Sequence, residues 1–337
     1  VLVTRRKEAS IAWTQRGQES SSALCEQPLA GLASAMISQE QKGEGAGEAA
    51  PSPAAEAQVE QLGGVGLGTA VAAAAAEEEE EEALVSFDRQ AYPKGLNADF
   101  ISDEETTAEA ILAKFAGEKG KFEDVEFRDI AKNLDGIVQM LRDHTALSDA
   151  SIVADIGAGT GLMLAPLSNL VPEGKVMACE LAPDFRAWMR ARIENEKLEN
   201  VEVVAADARN PFHGHKLGEG PPLQGSVDVA IMCDVYHHLE YPRTACKHIR
   251  RYLTPDTGRL VIVDFHRDPA RVKSHTEEWV LRHLRADQAT FRQEVLTSGY
   301  RLVEEVEVPG LEENYVMIFA SADADLANPG ESWTGRG

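Results

Sequence analysis

At 337 residues the chain has room for one large domain or two small ones. Its formal net charge of −23 makes a surface that repels phosphate backbones, which argues against nucleic acid as a partner. Four cysteines (Cys25, Cys179, Cys233 and Cys246) show neither metal-ligand spacing nor a disulfide framework, and no apolar run is long enough to span a bilayer.

Residues 1–86 read as a low-complexity acidic tail. They hold 14 acids and 5 bases, a net of −9, against −14 for all that follows. Ser-, Ala-, Gly- and Pro-rich stretches lead into Ala72–Ala76 and then Glu77–Glu82. Little there offsets chain entropy by burial, so disorder is expected. Arg5, Arg6, Lys7 and Arg16 beside serines hint at an organelle transit segment, while Glu8 and Glu19 speak against it. A cytoplasmic location is the expectation.

From Phe87 the composition changes. Acids at 103–105 offer a helix start, and Ala108, Ile111, Leu112 and Phe115 recur at helical spacing. A second helix is predicted over Phe127–Leu141, with Ile130, Leu134, Ile137, Val138 and Leu141 on one face.

Next comes Val153-Ala-Asp-Ile-Gly-Ala-Gly-Thr-Gly161, an apolar strand ending in three glycines at alternate positions. A helix is predicted from Leu162 to Leu170. Such glycines let a ligand approach the backbone and permit positive φ. The spacing is not the G-x-G-x-x-G of a dinucleotide binder. Further strands are predicted at Lys175–Glu180, Val201–Ala206, Val227–Cys233, Arg259–Phe265, Tyr300–Val308 and Tyr315–Ala320. Helices at Pro183–Lys197, Pro242–Tyr252 and Ser274–Ser298 separate most of them. Near-continuous apolar strands alternating with helices imply a parallel sheet covered on both faces. Only six residues join Val308 to Tyr315, too few for a crossover, so the last pair must be antiparallel. The expected fold is a doubly wound α/β domain at 149–322, with seven strands, mostly parallel, and an antiparallel final strand. A flexible segment is expected at 323–337.

The glycine spacing and the antiparallel close resemble the class I S-adenosylmethionine-dependent methyltransferase superfamily. The resemblance covers Asp149–Ala320 and is weak for any subfamily; it implies lid helices at 87–148. It also implies that Asp155 and the turn through Gly157, Ala158, Gly159 and Gly161 approach the methionine part of S-adenosyl-L-methionine. Glu180 would end the second strand 19 residues after Gly161 and accept hydrogen bonds from both ribose hydroxyls, with Leu181 beside it. Asp207 would accept from the adenine amine, with the Ala208 backbone facing the ring, and Cys233 or Asp234 would sit beside the methionine amino group. In the strand Thr257-Gly-Arg-Leu-Val-Ile-Val-Asp264, Thr257 replaces the first glycine of the family's pair.

The acceptor-facing segment reads Asp234-Val-Tyr-His-His-Leu-Glu-Tyr-Pro242. It has no Asn/Asp-Pro-Pro-Tyr/Phe and no Pro-Cys, which argues against adenine-amino and cytosine-C5 methylation. Tyr236, His237 and His238 are the catalytic candidates, since a histidine can take a proton near neutrality. His213 and His215 raise a metal question that their Gly/Pro-rich loop answers in the negative, so no metal site is expected. Tyr92, Phe100, Trp188 and Trp279 are aromatic candidates for contacts. The expected activity is methyl transfer to a small-molecule acceptor. Its rivals are a catalytically inactive binding or scaffold protein, and a protein or RNA methyltransferase recruited through the tail.

Overall fold

Side chains alternate across a strand, so runs apolar at nearly every position demand cover on both sides. In the computed structural model, which describes residues 92, 94–117, 120–215 and 225–322, that demand is met. The expected tails at 1–86 and 323–337, and residues 216–224 of the Gly/Pro-rich loop, lie outside the described residues. The strands are β1 (Ile152–Ile156), β2 (Lys175–Glu180), β3 (Val201–Ala205), β4 (Val229–Cys233), β5 (Arg259–Phe265), β6 (Tyr300–Val306) and β7 (Asn314–Ser321). They form one sheet in the order β3-β2-β1-β4-β5-β7-β6. The first five pair in parallel, and β7 runs antiparallel to both β5 and β6, as the short Val308–Tyr315 connection requires. The order reverses between β1 and β4, which opens a crevice at the carboxyl ends of these strands.

Ahead of the sheet lie α1 (Ala108–Phe115), the single turn α2 (Asp129–Lys132) and α3 (Leu134–His144). The remaining helices are α4 (Leu164–Leu170), α5 (Pro183–Glu196), α6 (Pro242–Tyr252), α7 (Glu277–His283) and α8 (Gln288–Thr297). Alternate residues of β1 feed two cores. Ala154 and Ile156 join Cys246 and Ile249 of α6 with Phe291 and Val295 of α8. Val153 joins Ile137 and Leu141 of α3 with Leu167 of α4. Among the described residues no helix is long and apolar enough to cross a membrane.

Local chemistry explains where element bounds depart from expectation. The helix expected at Leu162 begins at Leu164, because Gly161, at φ +89°, donates its N–H to the Ala158 carbonyl and spends those residues on the turn. The strand expected at Val227 begins at Val229. There the Asp228 carboxylate leaves the ladder to accept from the Ile152 N–H at 2.9 Å and the Thr254 hydroxyl at 3.1 Å. The helix expected over Ser274–Ser298 is two helices, since Asp287 caps the second by accepting the Thr290 N–H at 2.9 Å. The helix expected over Phe127–Leu141 breaks at Asn133 and runs on to His144.

Candidate functional site

The carboxyl ends of β1, β2 and β4 open onto a cavity of about 370 Å³. That falls within the range of roughly 300–1,000 Å³ usual for small-molecule sites. Its floor is the glycine turn, where the N–H groups of Gly157 and Ala158 both donate to the Cys179 carbonyl, at 2.7 and 3.1 Å. Gly157, at φ +70°, has no room for a side chain, because a Cβ there would stand 2.5 Å from Val235. Gly159, at φ +57°, faces Phe122 of the preceding segment, whose ring would lie 3.3 Å from a Cβ.

Glu180 ends β2 and is buried. One of its carboxylate oxygens accepts the Gly159 N–H and the other the Ala182 N–H, each at 2.7 Å. The second lone pair of each oxygen is left for hydroxyl donors. Burial raises its pKa, and these amides work against the rise. Asp155 is also buried, and its Oδ2 has no hydrogen-bond partner within the protein. Burial, then the nearby Glu180 charge, lifts Asp155 to about 7. Asp234, at φ +55°, caps the end of β4 and is likewise lifted to about 7 by burial, against the opposing pull of Arg128. Its Oδ2 accepts from Arg128 Nε and Nη2, both at 3.0 Å, and its Oδ1 from Asn314. Leu181, Ala208 and Cys233 line the same cavity. So does Asp207, although its carboxylate caps its own turn, accepting the N–H groups of Arg209 and Asn210 and meeting His213 at 2.8 Å.

Residues of the segment before β1 line the cavity as well. Phe100, Phe115, Phe122 and Phe185 form one aromatic cluster with ring centroids 4.8–6.2 Å apart. Glu123 ties it down by accepting from the Thr160 hydroxyl at 3.1 Å and pairing with Arg192 at 3.0 Å. Asp129 accepts two N–H groups from the β6–β7 turn, at Glu312 and Glu313.

Beyond β4 the chain makes one 3-10 turn, Tyr236–His238. It points three consecutive side chains in different directions, as three residues per turn must. His237 and His238 line the cavity, and Tyr236 does not. The Tyr236 ring is fully buried in the core behind the sheet, 5.0 Å from Phe291, so the expected catalytic role of Tyr236 is withdrawn. His237 Nδ1 lies 2.7 Å from Asp264 Oδ1, and the His237 N–H donates to Oδ2 at 3.0 Å. With Asp264 ionised, the ring carries the Nδ1 proton and Nε2 is the unprotonated nitrogen. His238 Nδ1 faces the Leu96 carbonyl at 3.3 Å, and its Nε2 lies 3.3 Å from Nε2 of His283. Burial pushes His237 and His283 down to about 3 and His238 well below the usual histidine range. Burial thus favours the neutral imidazole in all three, with one ring nitrogen protonated and the other a lone-pair acceptor. Trp279 stacks on His283 at 4.3 Å and on His275 at 3.6 Å.

Of the other aromatic candidates, Phe100 lines the cavity, Trp188 does not, and the Tyr92 hydroxyl donates to the Arg282 carbonyl. Arg128, Asp264, His275 and His283 were not singled out in the sequence. Arg128 sits just before a short helix and His283 ends another, and neither position carries a motif.

Residues 154–260 match the family model described as a methyltransferase domain. Over 104 residues the chain is 32% identical to the 4-amino-L-phenylalanine/4-methylamino-L-phenylalanine methyltransferase of Streptomyces pristinaespiralis. That match takes in 31% of this chain and spans only 30% of the relative's length. Among solved structures, an S-adenosylmethionine-dependent methyltransferase from Aquifex aeolicus overlays with a TM-score of 0.48 at 21% identity. The overlay covers 59% of this chain and 96% of that one. The PH0226 protein of Pyrococcus horikoshii overlays with a TM-score of 0.46 at 16% identity, covering 59% and 93%.

Proposed function

We propose that this chain, with a methyltransferase domain at 154–260 and the class I strand order, is an S-adenosylmethionine-dependent methyltransferase acting on a small molecule. One observation carries the reading. The buried, unpartnered Asp155 oxygen, the Glu180 carboxylate and the glycine turn converge on a single cavity. An unpaired buried acid is costly without a ligand, and the amino group of the cofactor would pair it. Arg128 lies at the same end and would meet the cofactor's carboxylate. Glu180 would take the ribose hydroxyls, and the Asp207–Ala208 turn would border the adenine.

The cofactor supplies an electrophilic methyl group on a sulfonium sulfur. The protein's task is then to align an acceptor and exclude water. The aromatic cluster of the lid excludes water at one end. At the other, Phe265, Trp279 and the ring nitrogens of His238 and His283 form the acceptor wall. The unprotonated ring nitrogen of this pair accepts a hydrogen bond from the acceptor and orients it. A cavity of this size admits a metabolite, and the Streptomyces relative, whose acceptors are substituted phenylalanines, supports an acceptor of that scale.

The test is calorimetric titration of the chain with S-adenosylhomocysteine, followed by a metabolite panel assayed for formation of that product. Micromolar binding and turnover of at least one small molecule support the proposal. Binding without turnover across the panel favours a scaffold, and absence of binding removes the enzyme reading.

A further inference from the structure

We propose that His237, His238 and His283 form a binding site for a divalent transition-metal ion of the zinc class, at the acceptor end of the cavity. One ring nitrogen of each lies within 4.8 Å of the others. The Nε2 atoms of His238 and His283 are 3.3 Å apart. Two imidazole nitrogens at about 2.0–2.1 Å from a tetrahedral ion stand about 3.4 Å from each other, so this spacing is the edge of such a site.

The surroundings orient the ligands as metal-bound histidines are oriented. A ligating imidazole gives its other N–H to a carboxylate or a backbone carbonyl, which fixes its tautomer. His237 gives Nδ1 to Asp264 and His238 turns Nδ1 to the Leu96 carbonyl, so Nε2 is the atom each offers, that of His238 already facing His283 Nε2. Trp279 stacks on the His283 ring and holds its plane. Asp264 is itself fixed, accepting N–H groups from His237 and Phe265.

The donor set selects the ion. Three neutral imidazoles suit zinc, cobalt, nickel or copper, whereas magnesium and calcium ask for oxygen. Three protein ligands leave one tetrahedral position open, the pattern of a reactive rather than a structural site. All three histidines line the cavity together with Phe265 and Trp279. A role for the ion in seating the acceptor's donor atom there rests on the methyltransferase reading. Metal binding itself rests only on the three histidines. Sequence spacing directs the metal question to His213 and His215, because 45 residues separate His238 from His283.

The experiment uses the untagged full chain, stripped with a chelator and titrated with cobalt(II) chloride and then zinc chloride. The expected result is one equivalent of cobalt with the visible ligand-field bands of a tetrahedral site, displaced by zinc. His283→Ala and His238→Gln are each expected to weaken cobalt binding at least tenfold, and a His213→Ala/His215→Ala variant to leave it unchanged. Circular dichroism and thermal unfolding of His283→Ala report folding, and S-adenosylhomocysteine binding by the intact chain, measured separately, keeps failure of the metal site distinct from failure of the methyltransferase reading. No cobalt or zinc uptake by the intact chain, or equal uptake by a folded His283→Ala, overturns the proposal.

Discussion

The Gly159 N–H donates to Glu180 Oε2 at 2.7 Å, which binds the turn after β1 to the acid at the end of β2. The same carboxylate is the proposed ribose acceptor, so one residue would both shape the floor and hold the ligand. Glu180→Ala removes hydrogen bonds to a charged group worth about 1.5–3 kcal/mol each, and S-adenosylhomocysteine affinity should fall by roughly ten- to a hundredfold or more. Glu180→Gln keeps one acceptor and should fall between the two. Calorimetry on the three proteins checks the order.

Two glycines with nearly the same φ should respond differently to alanine. At Gly157, φ +70°, the new Cβ would stand 2.5 Å from Val235, and at Gly117, φ +76°, nothing lies within 4 Å. Gly117→Ala should cost about 1–2 kcal/mol, the left-handed backbone penalty alone. Gly157→Ala adds an overpacking cost of about 1–3 kcal/mol. Denaturant unfolding of both variants checks the difference.

Arg128 and Asp234, 106 residues apart, pair at 3.0 Å with side chains 14% and 5% exposed. Removing one partner of a buried ion pair costs about 3 kcal/mol or more. Arg128→Met should therefore unfold at lower denaturant. The loss should be greater at pH 8 than at pH 6, because protonation relieves the orphaned acid and burial already places Asp234 at about 7.

Tyr236→Phe tests the withdrawn role. Its ring lies in the core and outside the cavity, so S-adenosylhomocysteine affinity should stay within about twofold of the parent, since no contact of the site is lost. A tenfold loss would return Tyr236 to the site.

Stability of the ligand-free chain should fall between pH 6.5 and pH 8.5. Asp155, Asp234 and Asp264 are raised to about 7, so the stability they contribute is complete below the ordinary Asp value and lost as pH rises through 7. His237 and His283 are pushed to about 3 and His275 to about 4, mainly by burial, so theirs is complete above 6.5 and, as pH falls below it, offsets the carboxyl gain. Thermal unfolding at pH 6.5 and 8.5 should give the higher midpoint at 6.5, and a higher midpoint at 8.5 would contradict these burial effects.

The sequence by itself determined what is written within a few residues of chain. Near-continuous apolar runs bounded by turn residues marked most strands of the sheet. The three positive-φ glycines marked the turn, since only glycine adopts that backbone cheaply, and the six residues after Val308 forced β7 antiparallel. Glu180 was legible because strand and turn lengths set its place. Tertiary packing alone decided which side chains meet. A 3-10 turn sends Tyr236 into the core and His237 and His238 into the cavity, although all three are adjacent in the chain. The pairing of Arg128 with Asp234, and of His238 with His283, depends on separate elements docking at the carboxyl end of the sheet. No local spacing encodes such contacts, because their geometry is set by how whole elements pack and not by the dihedral angles of the residues between them.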